Sequence, residues 1–177
     1  MARRIEQAND GLAPIPRLSW AAMSATEDLP ATATETKDAA RLARGIRRTL
    51  AALGYGTLAE FTLANGRRAD LIGVNAAGEV ALVEIKTSEA DFRADEKWPE
   101  YLPYCDSFYF AVPEEFPRHL LPEDCGLIVA DAYTGVILRP APPLSTMNTA
   151  RRRVLLIRFA LAATSRLQRL LDPEAEL

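Results

Sequence analysis

From Lys37 to Leu53, apolar residues fall at Ala39, Leu42, Ala43, Ile46, Leu50 and Leu53. That is the 3.6-residue period of a helix with one buried face, and Gly54 supplies a stop. The period then shortens. Thr57 to Leu63, Arg68 to Val74 and Val80 to Thr87 read as strands, and the separators Asn65-Gly66 and Asn75-Ala76-Ala77-Gly78 are hairpin sequences. The three runs therefore predict an antiparallel meander. Ser88, followed by Asp91, predicts a helix cap, and the helix it opens cannot run normally past Pro99, whose ring clashes with the preceding turn. Ser107 to Val112 predicts a further strand, and Gly126 to Ala130 with Val136 to Leu138 a hairpin around Tyr133-Thr134-Gly135. A proline-rich link, Pro140 to Pro143, leads to a last helix from Thr149 to Leu171. Residues 1–36 follow neither period and are assigned to a disordered leader ahead of one domain, residues 37–177; Met23 is a second candidate start. The expected class is α/β, a mixed central sheet flanked by helices.

Composition narrows what this domain does. A chain of 177 residues with 49% hydrophobic and 25% charged content suits one globular core. The net charge of −3 makes the molecule no polycation, so any phosphate-binding surface is a local patch. Cys105 and Cys125 form no CxxC pair and His119 is the only histidine, which excludes a zinc ligand set and a disulfide framework and fits a reducing, cytoplasmic setting. The longest apolar stretch, Val154 to Ala163, is interrupted by Arg158 and is too short to span a membrane.

Chemistry concentrates in the second and third strands. Side chains alternate along a strand, so Leu82, Glu84 and Lys86 share one face while Val83 and Ile85 take the other. Asp70 shares a face with Ile72 and Val74, and a suitable hairpin register sets it opposite Glu84. Two carboxylates and an ammonium then converge. Mg²⁺ or Mn²⁺ prefers oxygen ligands and keeps several waters, so Asp70, Glu84 and the backbone carbonyl of Ile85 make a half-shell, leaving positions for water and phosphate oxygen. Lys86 is placed to act on the attacking water or on the phosphate. Without that company, Glu84 and Lys86 would be an ordinary surface ion pair.

In order, "GRRAD" (Gly66 to Asp70), "VEIKTS" (Val83 to Ser88), "DFRADEKWPEY" (Asp91 to Tyr101), "CDSFYFAV" (Cys105 to Val112), "GLIVAD" (Gly126 to Asp131) and "ARRR" (Ala150 to Arg153) resemble the MmcB-type DNA-repair proteins of the PD-(D/E)XK nuclease superfamily. The resemblance covers Lys37 to Leu171 and implies a restriction-endonuclease-like fold. It implies metal-dependent hydrolysis of DNA in repair, with Asp70 and Glu84 as metal ligands and Lys86 at the nucleophile or phosphate. Many superfamily members add an acidic residue on the first core helix; here only Asp38 stands there, at its start. Glu60, on the first strand, is either the substitute ligand or a solvent-facing residue. If the shell is incomplete, the chain is a non-catalytic DNA-binding or scaffold module that keeps the nuclease fold.

Other residues widen the candidate surface. Lys97 is within sequence reach of a phosphate, and Trp98, Tyr101 and Tyr104 either stack on unpaired bases or anchor their segment to the sheet. Asp91 and Asp95 either brace the site or form a solvated acidic face. Lys37, Arg41, Arg44 and Arg48 make a basic stripe on the first helix, opposite its apolar face, and Arg151, Arg158, Arg166 and Arg169 make another on the last. Both stripes suit the DNA backbone, unless they are ordinary solvated helix faces.

Overall fold

A computed structural model describes residues 33–144 and 147–174. The order is α1 (Ala33–Ala52), β1 (Gly56–Thr62), β2 (Arg68–Val74), β3 (Val80–Ile85), α2 (Glu89–Ala94), a 3-10 segment (Trp98–Tyr104), β4 (Ser107–Val112), a 3-10 turn (Arg118–Leu120), β5 (Gly126–Ala130), β6 (Gly135–Arg139) and α3 (Thr149–Leu171). The six strands form one mixed sheet in sequential order. β1, β2 and β3 pair antiparallel as the hairpin sequences predict, β3, β4 and β5 run parallel, and β6 returns antiparallel.

Helix α1 starts at Ala33, inside the segment assigned to the leader, because Ala and Glu form helix well without an apolar period. Residues 1–32 of that leader lie outside the described residues. At the other end α1 stops at Ala52, and Leu53, expected on its buried face, lies in the turn and is exposed. β3 closes at Ile85, two residues short of the expected end.

The two faces of the sheet differ in content. Leu42, Ile46 and Leu50 of α1 pack on Leu71, Val83, Ile85 and Ile128, an almost wholly aliphatic layer. The opposite face is aromatic, with Phe108 and Phe110 at its centre and Phe92, Trp98, Tyr101 and the α3 residues Leu155 and Phe159 over them. Because Glu84 alternates with Val83 and Ile85, its side chain belongs to this second face. One glycine fixes how α1 sits. A Cβ at Gly45 would overlap the Asp131 carbonyl oxygen and lie 2.7 Å from that of Thr134, so the helix backbone rests directly on the β5–β6 turn. Thr49 completes the seam: its hydroxyl accepts from the Gly135 N–H (2.8 Å) and donates to the Gly135 carbonyl (2.9 Å).

One break in strand regularity positions the site. Residues two apart in a strand share a face, yet Ala59 packs on the α1 side and Phe61 on the aromatic side, and Leu71 and Ala69 divide the same way on β2. The residues between them, Glu60 and Asp70, fall at the step that the β1–β2 register leaves unpaired. Glu60 has φ +48°, a left-handed conformation that costs a non-glycine residue roughly 1 kcal/mol. The β2–β3 ladder ends at Leu71 and Val83, one step before Asp70 and Glu84 would meet. The swap thus releases Asp70 from regular pairing.

Candidate active site

Asp70 uses that release to reach across the gap. Its Oδ2 accepts from the Ile85 N–H at 2.7 Å, replacing the ladder bond the strands no longer make. Glu84 and Lys86 are both buried at the end of β3, with the Lys86 Nζ 3.4 Å from Glu84 Oε1. The structure thus brings Asp70, Glu84 and Lys86 together at the end of β3, with Ile85 meeting Asp70 through its N–H.

Helix α2 adds two more carboxylates. The Ser88 hydroxyl accepts from the Asp91 N–H at 3.1 Å, the cap that the sequence predicts. This fixes Asp91, whose Oδ2 accepts from the Thr87 N–H and whose Oδ1 lies 3.9 Å from Lys86 Nζ. The helix ends at Asp95, which accepts a 2.6 Å bond from Lys86 Nζ. Both aspartates brace the site, so the solvated-face alternative does not hold for them. Phe92 anchors the helix edge-on against Phe110 and Phe116.

Acid outweighs base here, and the titration behaviour follows from that. Burial pushes the Asp70 carboxyl up to about 6, opposed by the Ile85 N–H bond and by Lys86. Burial and the neighbouring Asp70 push Glu84 well above the carboxylate range. Burial works against the Lys86 ammonium, but Glu84 and Asp95 outweigh it and hold its pKa above the ordinary value. Asp95, also opposed by burial, is drawn below the ordinary range by its bond from Lys86. Glu84 Oε2 is buried with no hydrogen-bond partner. An orphaned carboxylate oxygen beside a second crowded carboxyl is the environment a divalent cation relieves. The residues therefore fit Mg²⁺ or Mn²⁺, although among the described residues no three His, Cys, Asp or Glu side chains gather closely enough to form a larger shell.

Glu60 does not join the site: its side chain is 71% exposed and its carboxylate faces Arg68 at 3.9 Å. Arg68 itself, exposed at the start of β2, lies near enough to draw the Asp70 pKa down. No periodicity or motif singles it out in the sequence, although it stands two residues before Asp70 on the same strand. Lys97 follows α2, and its N–H donates to Asp95 Oδ1 at 2.9 Å. Trp98 stacks on Phe108, as does Tyr101, whose hydroxyl donates to the Arg68 carbonyl. These two rings anchor rather than await bases, and Tyr104 lies under the Arg151 guanidinium at 4.9 Å.

Neither basic stripe is simply solvated. On α1, Arg44 and Arg48 donate to the carbonyls of Ala132 and Tyr133, while Lys37 and Arg41 are exposed. That helix covers the sheet face turned away from Glu84 and Lys86. On α3, Arg151, Arg158 and Arg166 donate to the carbonyls of Pro103, Thr62 and Glu60, and Arg169 to the Ser165 hydroxyl. Arg166 thus reaches the unpaired step that holds Glu60 and Asp70.

Comparison with known proteins adds a family. The model of the MmcB-like DNA repair proteins matches residues 27–174, most of the chain and all of this site. The chain belongs to the MmcB-like family of DNA repair proteins. This MmcB-like chain is also similar, at 46% identity and a TM-score of 0.76, to the solved structure of the SPO1766 protein of unknown function from Silicibacter pomeroyi. The likeness covers 79% of this chain and 95% of that one. Among curated proteins there is no match. No helix of the described residues is long and apolar enough to cross a membrane.

Proposed function

We propose that this MmcB-like chain is a Mg²⁺- or Mn²⁺-dependent nuclease that hydrolyses phosphodiesters of DNA during repair, with the PD-(D/E)XK arrangement as its active site. The observation that carries the reading is the buried, unpartnered Glu84 Oε2 beside Asp70 and Lys86. An unmet buried acceptor costs about 1–3 kcal/mol, which a bound cation would offset. The family's DNA-repair role and the acid-rich balance of the site support the same reading.

Asp70 and Glu84 would hold the cation, with the Ile85 carbonyl as a third donor and water in the remaining positions. When bound, the metal would supply Lewis-acid chemistry at the scissile phosphate. Lys86 presents its ammonium to the negative charge that develops on the phosphate, and Asp95 and Asp91 hold that ammonium in place. Arg68 and Arg166, at the margin of the site, are positioned to meet the DNA backbone, with Lys97 on the α2 side. Asp38 is exposed on α1, beyond the sheet from this cluster, and takes no part.

Asp70→Asn and Lys86→Ala separate the roles. Each is expected to lower metal-dependent cleavage by at least about 10²-fold, measured on duplex, single-stranded, flap and gapped DNA, while filter binding of the same DNA in EDTA is retained. Higher Mn²⁺ partly restores Asp70→Asn and leaves Lys86→Ala inactive. Parent-like cleavage by both variants would remove the assigned site. A parent that binds DNA but cleaves none of these substrates would make the chain the non-catalytic module, a reading favoured by the two-carboxylate shell.

A further inference from the structure

The outward face of α3 carries an apolar stripe that none of the described residues covers. Val154, Ile157 and Leu161 recur at i, i+3 and i+7 and are 52%, 50% and 64% exposed, while Leu155, Leu156 and Phe159 of the same helix pack on the core. Single exposed apolar residues are normal, but three in register on one helix face form a patch of the kind that binds a partner. Val154 also lines a groove of about 360 Å³ between α3 and the β1–β2 hairpin, floored by Phe61, Leu63 and Leu155 and edged by Arg151 and Arg158. Stripe and groove therefore meet at Val154.

Charge decides what fits it. Helix α3 has six arginines and no acidic residue, and of these Arg152 is matched by Asp106. At 100° per residue, Arg158 lies on one side of the stripe and Arg153 on the other. A second copy packed face to face would set arginine against arginine, as like charges do across a mismatched helix pair. DNA would meet the arginines but leave Val154, Ile157 and Leu161 in water. An amphipathic helix with an apolar ridge and acidic flanks satisfies both halves of the surface, one large side chain entering the groove and carboxylates meeting the arginine rim.

We infer that the α3 face is a docking site for an acidic amphipathic helix of a partner protein. It lies apart from the Glu84–Lys86 site and does not depend on nuclease activity.

The test uses the full chain and two synthetic 18-residue helical peptides with the same Leu and Phe ridge, flanked by Glu in one and Lys in the other, read by fluorescence anisotropy. The Glu peptide is expected to bind at least tenfold more tightly than the Lys peptide. Leu161→Glu, which breaks the ridge, and Arg153→Glu, which reverses an exposed flank, should each weaken it tenfold or more, with thermal unfolding by circular dichroism unchanged from the parent. The inference is overturned if neither peptide binds at 100 µM, if both bind alike, or if the variants bind as the parent does. It is overturned equally if light scattering finds a dimer that Leu161→Glu dissociates, because a second copy then covers the face. A 15-nucleotide oligothymidine whose binding Leu161→Glu abolishes would reassign the face to nucleic acid.

Discussion

The two ends of β3 use the same local device with opposite electrostatic outcomes. At its start, Asp106 Oδ2 accepts from the Val80 N–H at 2.7 Å; at its end, Asp70 Oδ2 accepts from the Ile85 N–H at 2.7 Å. Asp106 is then matched by Arg152 through two 2.6 Å bonds, and the guanidinium also donates to the Gly78 carbonyl. Its carboxyl is drawn below the ordinary range by that arginine. Asp70 has no such match: it shares one ammonium with Glu84, Asp91 and Asp95, and its carboxyl rises to about 6. A balanced carboxylate at the end of a strand fastens α3 to the sheet. An unbalanced one keeps a repulsion that a cation would relieve, which is the role proposed above for Asp70 and Glu84.

The comparison breaks most visibly at the balanced end. Asp106→Ala removes two charge-assisted bonds and the acceptor of the Val80 N–H, and is expected to cost about 3 kcal/mol, read from the urea midpoint at constant m-value. A loss below 1 kcal/mol would mean that the clamp holds little.

At the other end the sign reverses. Mn²⁺ at ten times its dissociation constant should stabilise the parent by about 1.4 kcal/mol, a rise of roughly 3–6 °C in midpoint for a chain of this size. Glu84→Gln should remove that response and, without metal, should not destabilise the chain, because burial and Asp70 already favour the uncharged carboxyl that the amide mimics. A variant less stable than the parent in EDTA would show that Glu84 is held by Lys86 rather than strained by Asp70.

The smallest effect is in the pH dependence of the metal-free protein. Asp106, with its folded pKa depressed, contributes stability above the ordinary carboxylate value near 3.8 and loses it as the pH falls through the lower folded value. Asp70, with its folded pKa raised, contributes below 3.8 and loses that contribution as the pH rises through about 6. Asp106→Asn should therefore flatten the acid limb of the stability curve, and Asp70→Asn the decline between about pH 4 and 6. Unchanged curves in thermal melts would contradict these assignments.

Much of this contrast was legible in the sequence. Strands β2, β4 and β5 and helix α3 have the expected bounds, because each is a strong apolar or amphipathic run closed by turn or cap residues. Alternation and hairpin spacing bring Asp70 to the same end of the sheet as Glu84 and Lys86, but its approach to the Ile85 N–H depends on a break in the ladder. The face swap was not legible, since no periodicity signals a left-handed Glu60, and the same swap turns that glutamate outward. Asp95 could not be assigned, because its direction depends on where α2 ends. The arginine stripes were visible on a helical wheel, but not the carbonyls they bond, which lie 48 to 106 positions away in the chain.

The seat of α1 on the β5–β6 turn has a consequence for synthesis. This helix is the earliest of the described elements to leave the ribosome, yet its backbone at Gly45 and its Thr49 hydroxyl meet partners at 131–135, and it touches all six strands. A chain made at about 5–20 residues per second therefore carries Leu42, Ile46 and Leu50 without their full cover until β6 has emerged. The aliphatic layer is begun first and sealed late, and through that interval a nascent chain has most to gain from a chaperone.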